Sequence, residues 1–363
     1  MVKTAKAVRI PAAHRAPAGT APQDGRPFRR DVAGPRVLPL LLSLSLVLLV
    51  AGAAACAGAP PPAPRRSAPP APRIPLADVL AAVRRAPAIR ALPADLTPSP
   101  TTAGDDLGFD NDKCEAGPEA DHVDACVFGD PASSTKVVLY GDSQAGMWLP
   151  ALAEIARRRH WQLRLFGKPA CPAVHLALWS QRRGRLFAEC DRFRAYAEGQ
   201  ILAERPGLVL VASESYAQKA DRGVPVTPDG WRAGLTGTLG TLRRSGARVV
   251  VIGETPVLDE SAPDCLAAHP ANVAACATTE AAATARVWNA ADQAAARATG
   301  SEYVSVLPWL CTAICAPVVC APVVGNVLVY RNRFHLTATY ARLLTGVLEG
   351  ALPGVTAGDA GEG

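Results

Sequence analysis

The sequence predicts an α/β fold: a mostly parallel sheet of five strands with helices on both of its faces. From about residue 136 onward, short apolar runs alternate with longer segments that have the periodicity of helices. The apolar runs are nearly continuous, as in strands that are buried on both faces of a sheet. Because the connections between parallel strands cross over as helices, this alternation gives three layers with the sheet in the middle.

Residues 1–36 form a basic head that we expect to be disordered. Eight Lys or Arg side chains against two Asp in this head account for the formal net charge of +6 of the whole chain. The remaining residues are therefore neutral as a group, which argues against nucleic acid as a partner. Positive charge directly before an apolar segment agrees with the positive-inside rule for membrane-inserted chains.

Residues 37–56 form that apolar segment, which carries no charge. About 20 such residues can span a bilayer as a helix, and they can also be the hydrophobic region of a signal peptide. Ala53-Ala54-Ala55-Cys56 resembles a lipobox in which Cys56 is lipidated, although Leu is usual at its first position. A buried core helix is the fourth alternative, which the basic flank disfavours. The head is long for a signal peptide, which favours an uncleaved anchor or a misassigned start.

The three targeting alternatives place the rest of the chain outside the cytoplasm, anchored to the membrane or secreted, and the cysteines agree. The chain has ten, and exported proteins use cysteines in disulfides whereas cytosolic proteins rarely keep so many. Three pairs of neighbours would each close a short loop. These pairs are Cys114–Cys126, Cys171–Cys190 and Cys265–Cys276.

Cys311, Cys315 and Cys320 compete for a fourth bridge, for which we take Cys311 and Cys320 as the candidates. Without Cys56 the number of cysteines is odd, and Cys315-Ala-Pro-Val-Val is followed at once by Cys320-Ala-Pro-Val-Val. This repeat indicates a small duplication that left one thiol surplus. A zinc site made of the three cysteines is the alternative, but their spacing matches no common zinc motif. We therefore expect no metal.

Residues 57–73, mostly Pro, Ala and Arg, predict a semi-rigid linker before one domain over residues 74–363. The domain opens with a lead-in segment over residues 74–134, which we expect to pack on the domain rather than to fold alone. Apolar residues at helical spacing predict a helix at its start. These residues are Leu76, Val79, Leu80 and Val83. A loop with several prolines follows to about Thr102.

Strands and helices then alternate to the end of the chain. The strands are predicted over residues 136–140, 162–166, 208–211, 247–252 and 303–306, with a short extra one over 327–330. The helices are predicted over residues 147–158, 190–204, 231–244, 279–299 and 336–348. Parallel sheets place their functional sites at the carboxyl ends of strands. Ser143, Ser213 and Glu254 follow such ends.

Ser143 is the candidate nucleophile. It directly follows the first predicted strand in Gly141-Asp142-Ser143, at the start of a helix. There its own N–H can bind an oxyanion, and the helix N-terminus favours negative charge. A serine needs a base within hydrogen-bond reach, and the tripeptide alone is equally consistent with a helix cap formed by Asp142 or Ser143.

His335 is the candidate base. It follows the last apolar segment and opens the terminal helix in Asn332-Arg-Phe-His335-Leu-Thr337. The connectivity of the sheet could bring it beside the end of the first strand; the alternative is a histidine that only packs at a helix start. The other histidines lack this setting, and we expect them to be structural. They are His14, His122, His160, His175 and His269.

Val138-Leu-Tyr-Gly141-Asp142-Ser143 with the late His335-Leu336-Thr337 resembles the SGNH, or GDSL, hydrolases, and within them the SGNH domains fused to bacterial membrane O-acyltransferases that modify surface polysaccharides. Further matching segments are Leu92-Pro-Ala-Asp-Leu96, Cys171-Pro172, Trp309-Leu-Cys311 and Gly325-Asn-Val-Leu-Val-Tyr330. The resemblance extends from about residue 75 to the end. It implies a flavodoxin-like α/β/α sandwich, no metal or other cofactor, and acyl-ester chemistry on a glycan.

Three positions depart from the family. Asn332 stands where the family usually has the Asp that orients the histidine, and in a Ser-His-Asp protease that change lowers turnover about 10⁴-fold. Gln144 stands where this subgroup often has histidine. The third block, which offers an Asn to the oxyanion in SGNH enzymes, reads Ala212-Ser213-Glu214-Ser215, and Ser213 is its weak candidate. The backbone N–H of Gly167 could serve as the family's second-block glycine does.

These residues predict a serine esterase or O-acyltransferase outside the cytoplasm. Ser143 would attack an acyl ester, His335 would take its proton, and water or a sugar hydroxyl would accept the acyl group. The expected partners are an acylated polysaccharide or cell-wall glycan, and the membrane through the apolar segment or lipidated Cys56. Asn332 and the altered third block motivate the alternative: a catalytically weak or inactive SGNH domain that binds glycan or a partner protein. A general secreted lipase is less consistent, since no apolar lid is visible.

Overall fold

The computed structural model describes residues 74–124, 126–216, 218–312 and 318–355, with only the backbone for residues 280–283. The predictions for the basic head, the apolar segment, Cys56, the linker and Cys315 lie outside the described residues. Within the described ranges, no helix is both long and apolar enough to cross a membrane.

A six-stranded sheet forms the centre of the domain. Its strands are β1 (Val127–Gly129), β2 (Lys136–Gly141), β3 (Gln162–Gly167), β4 (Leu208–Ala212), β5 (Arg248–Ile252) and β6 (Glu302–Val304). Their order across the sheet is β1-β3-β2-β4-β5-β6, and every neighbouring pair except β1–β3 is parallel. Counted by themselves, the five parallel strands have the order 2-1-3-4-5 of flavodoxin-like folds. The predicted fold class is therefore confirmed, and the antiparallel edge strand β1 is an addition to it.

Helices cover both faces of the sheet. They are α1 (Leu76–Arg85), α2 (Asn111–Cys114), α3 (Ser143–Arg159), α4 (Ala188–Glu204), α5 (Pro228–Arg243), α6 (Ala262–Ala268), α7 (Glu280–Thr299), α8 (Ala338–Leu343) and α9 (Thr345–Ala351). Alternate residues of β2 enter different cores: Val137 and Leu139 pack with α1, α3 and α8, whereas Val138 and Tyr140 pack with α4 and α5. The near-continuous apolar character of the strand follows from this double burial.

Two predicted elements have a different form in the structure. The terminal helix is divided into α8 and α9 at Leu344, where the Thr345 hydroxyl donates to the Arg342 carbonyl oxygen at 2.7 Å. The extra strand is only Val327–Leu328, and it pairs with Val323–Val324 in a hairpin outside the central sheet. Gly325 allows the tight turn of this hairpin because its φ is +63°.

Four disulfides join loops around the sheet. They are Cys114–Cys126, Cys171–Cys190, Cys265–Cys276 and Cys311–Cys320. Each closes a loop of 9 to 19 residues, and cross-links of this kind stabilise the fold mainly by restricting the unfolded chain. Because the sulfurs of Cys311 and Cys320 are bonded to each other, they are not the free thiolates that the alternative zinc site requires.

Candidate active site

Asp142, rather than Ser143, caps the helix that follows β2. One carboxyl oxygen of Asp142 accepts the N–H of Gln144 at 2.9 Å, and the other accepts the N–H of Glu214 at 3.0 Å. The side chain therefore joins the end of β2 to the end of β4. Its complete burial outweighs these hydrogen bonds and raises its pKa to about 7. Ser143 is the first residue of α3, and its hydroxyl is free for another role.

The hydroxyl of Ser143 lies 2.7 Å from the Nε2 atom of His335, although 192 positions separate the two residues in sequence. His335 is held in a tight turn, because its carbonyl oxygen accepts the N–H of Arg331 at 2.9 Å. Thr337 then caps α8 by accepting the N–H of Tyr340 and donates to the Leu328 carbonyl oxygen. The turn thus fixes the imidazole over the nucleophile, which is the geometry that serine activation requires.

The imidazole of His335 is neutral at ordinary pH. It is 9% exposed, and this burial, together with the positive charge of Arg331, lowers its pKa to about 3. A neutral imidazole has one nitrogen that donates and one that accepts a hydrogen bond. Nε2 is the nitrogen that faces Ser143. His335 can therefore take a proton from Ser143 only if Nε2 is the acceptor and the ring proton lies on Nδ1.

Asn332 determines that choice. Its amide oxygen accepts two backbone N–H groups, those of Phe334 at 3.1 Å and His335 at 2.9 Å. Turning the amide over would place its NH₂ against two donors, so the NH₂ group is the one that faces His335 Nδ1, at 2.9 Å. An NH₂ group only donates, and Nδ1 must therefore accept. The ring proton lies on Nε2 and points at the Ser143 hydroxyl, which is the wrong tautomer for a base.

The backbone donors predicted for the oxyanion have different surroundings. The N–H of Ser143 belongs to the first turn of α3, where no intrahelical acceptor exists. Gly167 ends β3 beside Gly141, but the segment containing Glu115 lies against it, and its carbonyl oxygen accepts the N–H of Ala116 at 2.8 Å. The arrangement leaves Ser143 as the better-placed of the two donors.

The other third-block residues serve different roles. The Ser213 hydroxyl oxygen accepts the N–H of Ala173 at 2.9 Å, so this side chain anchors the loop after β3. Gln144, the other departure from the family, is buried, and its amide oxygen lies 3.2 Å from the Thr255 hydroxyl. The single proton of that hydroxyl is donated to the nearer acceptor, the Phe334 carbonyl oxygen at 2.7 Å. Gln144 thereby connects the start of α3 to the turn that carries His335.

Two charged residues that the sequence analysis missed line the small cavity at Ser143. They are Glu115 and Arg331, which share this cavity with the apolar side chains of Phe109 and Met147. Burial and the charge of Asp142 raise the pKa of the Glu115 carboxyl to about 7, and Arg331 opposes this shift. Arg331 could have been suspected from its position directly before Asn332. Nothing in the sequence around Glu115 indicates a place in the site.

A larger cleft of about 450 Å³ adjoins the small cavity, and Asn111 and Glu115 line both. Aromatic side chains and amides line the cleft. They are Trp179, Phe187 and Tyr216, with Gln181 and Gln218. Trp179 lies on a short hairpin formed by Trp179–Ser180 and Arg185–Leu186. Concave surfaces that combine apolar rings with a few polar groups are typical ligand sites.

Two further buried carboxyls, Glu214 and Glu254, follow the ends of β4 and β5. Glu254 accepts the N–H groups of Ser215 and Tyr216, both at 3.2 Å, and the hydroxyl of Ser215. Burial raises the pKa of Glu254 to about 8 and that of Glu214 to about 9. Both groups are therefore mainly neutral acids at pH 7.

We expect Glu254→Gln to reduce the loss of stability at alkaline pH. Because the folded-state pKa of Glu254 is raised above its unfolded value, its contribution is complete below about pH 4 and is lost as pH rises through about 8. Glutamine keeps an acceptor for both N–H groups but cannot ionise, and its NH₂ can donate to the Ser215 oxygen once that hydroxyl rotates from donor to acceptor. Urea unfolding at pH 6 and pH 8 should show a smaller decrease in the variant, by up to about 1.4 kcal/mol per pH unit.

The exposed Glu260 provides the control for this experiment. Glu260→Gln removes the same charge without changing a buried group, so its pH dependence should equal that of the wild type. An equally steep decrease in Glu254→Gln and the wild type would contradict the prediction.

The family model described as "SGNH domain (fused to AT3 domains)" matches residues 112–350. A similar solved structure is the periplasmic domain of a lipopolysaccharide acetyltransferase from Salmonella ser. Paratyphi A, with 14% identity, a TM-score of 0.47, and coverage of 66% of this chain and 90% of that chain. Another is a GDSL-like lipase from Bacteroides thetaiotaomicron VPI-5482, with 12% identity, a TM-score of 0.40, and coverage of 60% and 87%. No curated protein matches the sequence significantly.

Proposed function

Because the chain belongs to the family of SGNH domains fused to AT3 domains, we propose that it is an extracytoplasmic serine acyl-ester hydrolase or O-acyltransferase that acts on acylated cell-surface glycan. The observation that carries this proposal is the 2.7 Å contact between the Ser143 hydroxyl and His335 Nε2 at the carboxyl end of a parallel sheet. The four disulfides support an oxidising compartment. We further propose that residues 37–56 or a lipid on Cys56 hold the domain at the membrane.

In the proposed reaction, the Ser143 oxygen attacks the acyl carbon while His335 Nε2 takes the hydroxyl proton. The N–H of Ser143 stabilises the oxyanion, and the imidazolium returns its proton to the departing sugar oxygen. The acyl group is then bound to Ser143. Water releases it in an esterase, and a second sugar hydroxyl accepts it in a transferase. Either route first needs the Nε2 proton moved to Nδ1, against the NH₂ group of Asn332. We therefore expect slow turnover in the native chain.

The cleft beside the nucleophile supports a glycan as the substrate. Sugar rings offer apolar C–H faces and many hydroxyls, which match aromatic rings and amide groups respectively. Trp179, Tyr216 and Gln218 supply such groups within one concave surface. Since Glu115 lines both this cleft and the cavity at Ser143, a saccharide in the cleft could present its acyl ester to the nucleophile.

A fluorophosphonate probe tests the proposed chemistry. We expect slow labelling of the folded wild-type protein at Ser143, as identified by peptide mapping, because the probe reacts only with an activated serine and activation first needs the Nε2 proton of His335 moved to Nδ1. Ser143→Ala should abolish the labelling, and heat-denatured wild type should remain unlabelled. Ser305→Ala is the matched control, because it removes an exposed hydroxyl that follows β6 and should leave labelling intact. A folded wild type without any labelling at Ser143 would contradict the proposal.

The orientation of Asn332 favours a second candidate, an SGNH domain that binds glycan without turnover. An imidazole that donates to Ser143 does not activate it, while the cleft remains available for a ligand. Saturable binding of an acylated oligosaccharide, unaffected by Ser143→Ala and accompanied by neither labelling nor product, would favour this candidate over the enzyme.

A further inference from the structure

The carboxyl of Glu115 occupies a space that two glycines leave open in the site. A Cβ on Gly146 of α3 would collide with Glu115 Oε1, and a Cβ on Gly167 would lie 3.1 Å from Glu115 Cγ and 3.3 Å from Oε1. Gly167 is the residue whose backbone N–H the sequence analysis assigned to the oxyanion. Glu115 therefore lies against the start of the nucleophile's helix on one side and the expected oxyanion donor on the other.

The Oε1 atom of Glu115 is buried and has no hydrogen-bond partner among the residues that the structure describes. The residue as a whole is only 8% exposed. A buried polar atom without a partner costs free energy, and folded proteins contain few of them. Because Glu115 is one of the residues that line the cavity of Ser143, a substrate bound in this cavity can supply the missing partner.

The segment that carries Glu115 is fixed at several points. The preceding residue, Cys114, forms a disulfide with Cys126, and the N–H of Ala116 donates to the Gly167 carbonyl oxygen. The buried ammonium of Lys168 donates to three carbonyl oxygens of the next turn. These belong to Gly117, Pro118 and Ala120. The backbone that carries Glu115 is thus held by a covalent bond and four hydrogen bonds, and a fixed backbone is part of the preorganisation that transition-state stabilisation requires.

We propose that Glu115 is a catalytic residue that, as the neutral acid, donates a hydrogen bond to the carbonyl oxygen of the acyl group attacked by Ser143. It would take the place of the asparagine that the third block lacks, where this chain has Ser213. The inference rests on the proposed function, because an oxyanion forms only if Ser143 attacks an ester. No bond forms or breaks at Glu115, and its proton remains on the carboxyl throughout.

The charged groups around Glu115 determine the expected pH dependence. Asp142 approaches from the turn after β2, and Arg331 from the turn that carries His335. Glu214, Asp112, Arg182 and Arg183 face the adjoining cleft. Burial and Asp142 keep the proton on Glu115 up to a pKa of about 7. Above that pH the carboxylate would repel an oxyanion, so activity should fall as pH rises.

Variants of Glu115 test this role best in an Asn332→Asp parent, in which turnover should be readily measurable. Glu115→Gln keeps the size and an N–H donor but cannot ionise, so we expect activity within a few-fold of the parent at pH 6 and no decline up to pH 9. The parent itself should decline above pH 7. Glu115→Leu has no donor, and its kcat on p-nitrophenyl acetate should be about 10²-fold lower at pH 6. Glu260→Gln, a change of an exposed glutamate, should behave as the parent.

The outcomes separate this inference from the proposed function. A parent that shows no turnover and no labelling at Ser143 overturns the proposed function and this inference with it. An active parent overturns the inference alone if Glu115→Leu retains or exceeds its kcat, in which case Glu115 only covers the site. The inference also fails if the pH profile of Glu115→Gln equals that of the parent. That profile decides the matter even if Glu115→Leu does not fold, which thermal unfolding would reveal.

Discussion

Replacing Asn332 with Asp is expected to raise acyl-ester hydrolysis about 10³- to 10⁴-fold, the reverse of the loss caused by the opposite change in a Ser-His-Asp protease. One carboxylate oxygen would keep the N–H groups of Phe334 and His335, which the Asn332 oxygen now accepts. The other would replace the NH₂ group at His335 Nδ1 and accept its proton. Nε2 would then accept the proton of Ser143, as a base must.

The measurement is kcat/KM on a soluble acyl ester for the wild type and Asn332→Asp. Asn272→Asp is the matched control: it adds the same charge at an exposed position and should leave the rate unchanged. Ser143→Ala in the Asn332→Asp background should remove the gain. If Asn332→Asp is folded and no faster than the wild type, Asn332 does not limit the rate of ester hydrolysis, and the prediction is wrong.

The same variant should acquire a new pH dependence. A carboxylate beside Nδ1 stabilises the imidazolium and raises the pKa of His335 from its lowered value of about 3. Activity in Asn332→Asp should therefore decrease as pH falls through the ordinary histidine range near about 6.5, because a protonated base cannot accept a proton. The wild type should show no such decrease between pH 5 and 7.

Gly141→Ala is expected to lower the free energy of unfolding by roughly 3 kcal/mol or more. Gly141 has a φ of +156°, and a Cβ there would collide with the carbonyl oxygen of Ala212 on the neighbouring strand. That oxygen belongs to sheet backbone and cannot move without breaking strand pairing with β2. The strain would also displace Asp142 and Ser143, which directly follow.

Urea unfolding at pH 6 measures the effect, with Gly199→Ala as the matched control. Gly199 lies within α4, and nothing is within 4 Å of the position of its Cβ. Alanine there should stabilise the protein by about 0.5–1 kcal/mol, because glycine is the poorer helix former. Equal unfolding midpoints for Gly141→Ala and Gly199→Ala would contradict the proposed collision.

The sequence indicated the parallel strands and most of the helices because burial on both faces of a sheet leaves a local pattern. Val137 and Leu139 enter one core while Val138 and Tyr140 enter the other, so the run appears continuously apolar. The edge strand β1 was missed because it is three residues long and none of them is buried. A strand of that length has no periodicity of its own, and its pairing with β3 alone defines it.

For the candidate site, too, some features could be predicted from the sequence and others depend on the tertiary structure. The sequence by itself determined the residue types and their positions at strand and helix ends: Ser143 after β2, His335 before α8, and Asn332 at the place of the usual acid. Only the tertiary structure decided the 2.7 Å contact, the orientation of the Asn332 amide and the place of Glu115 between two glycines. Local sequence patterns indicate which face of a helix or strand is buried. They do not indicate contacts between residues that are distant in sequence, such as Ser143 and His335. They also do not indicate how the Asn332 amide is oriented, because that depends on the hydrogen bonds formed within the folded turn.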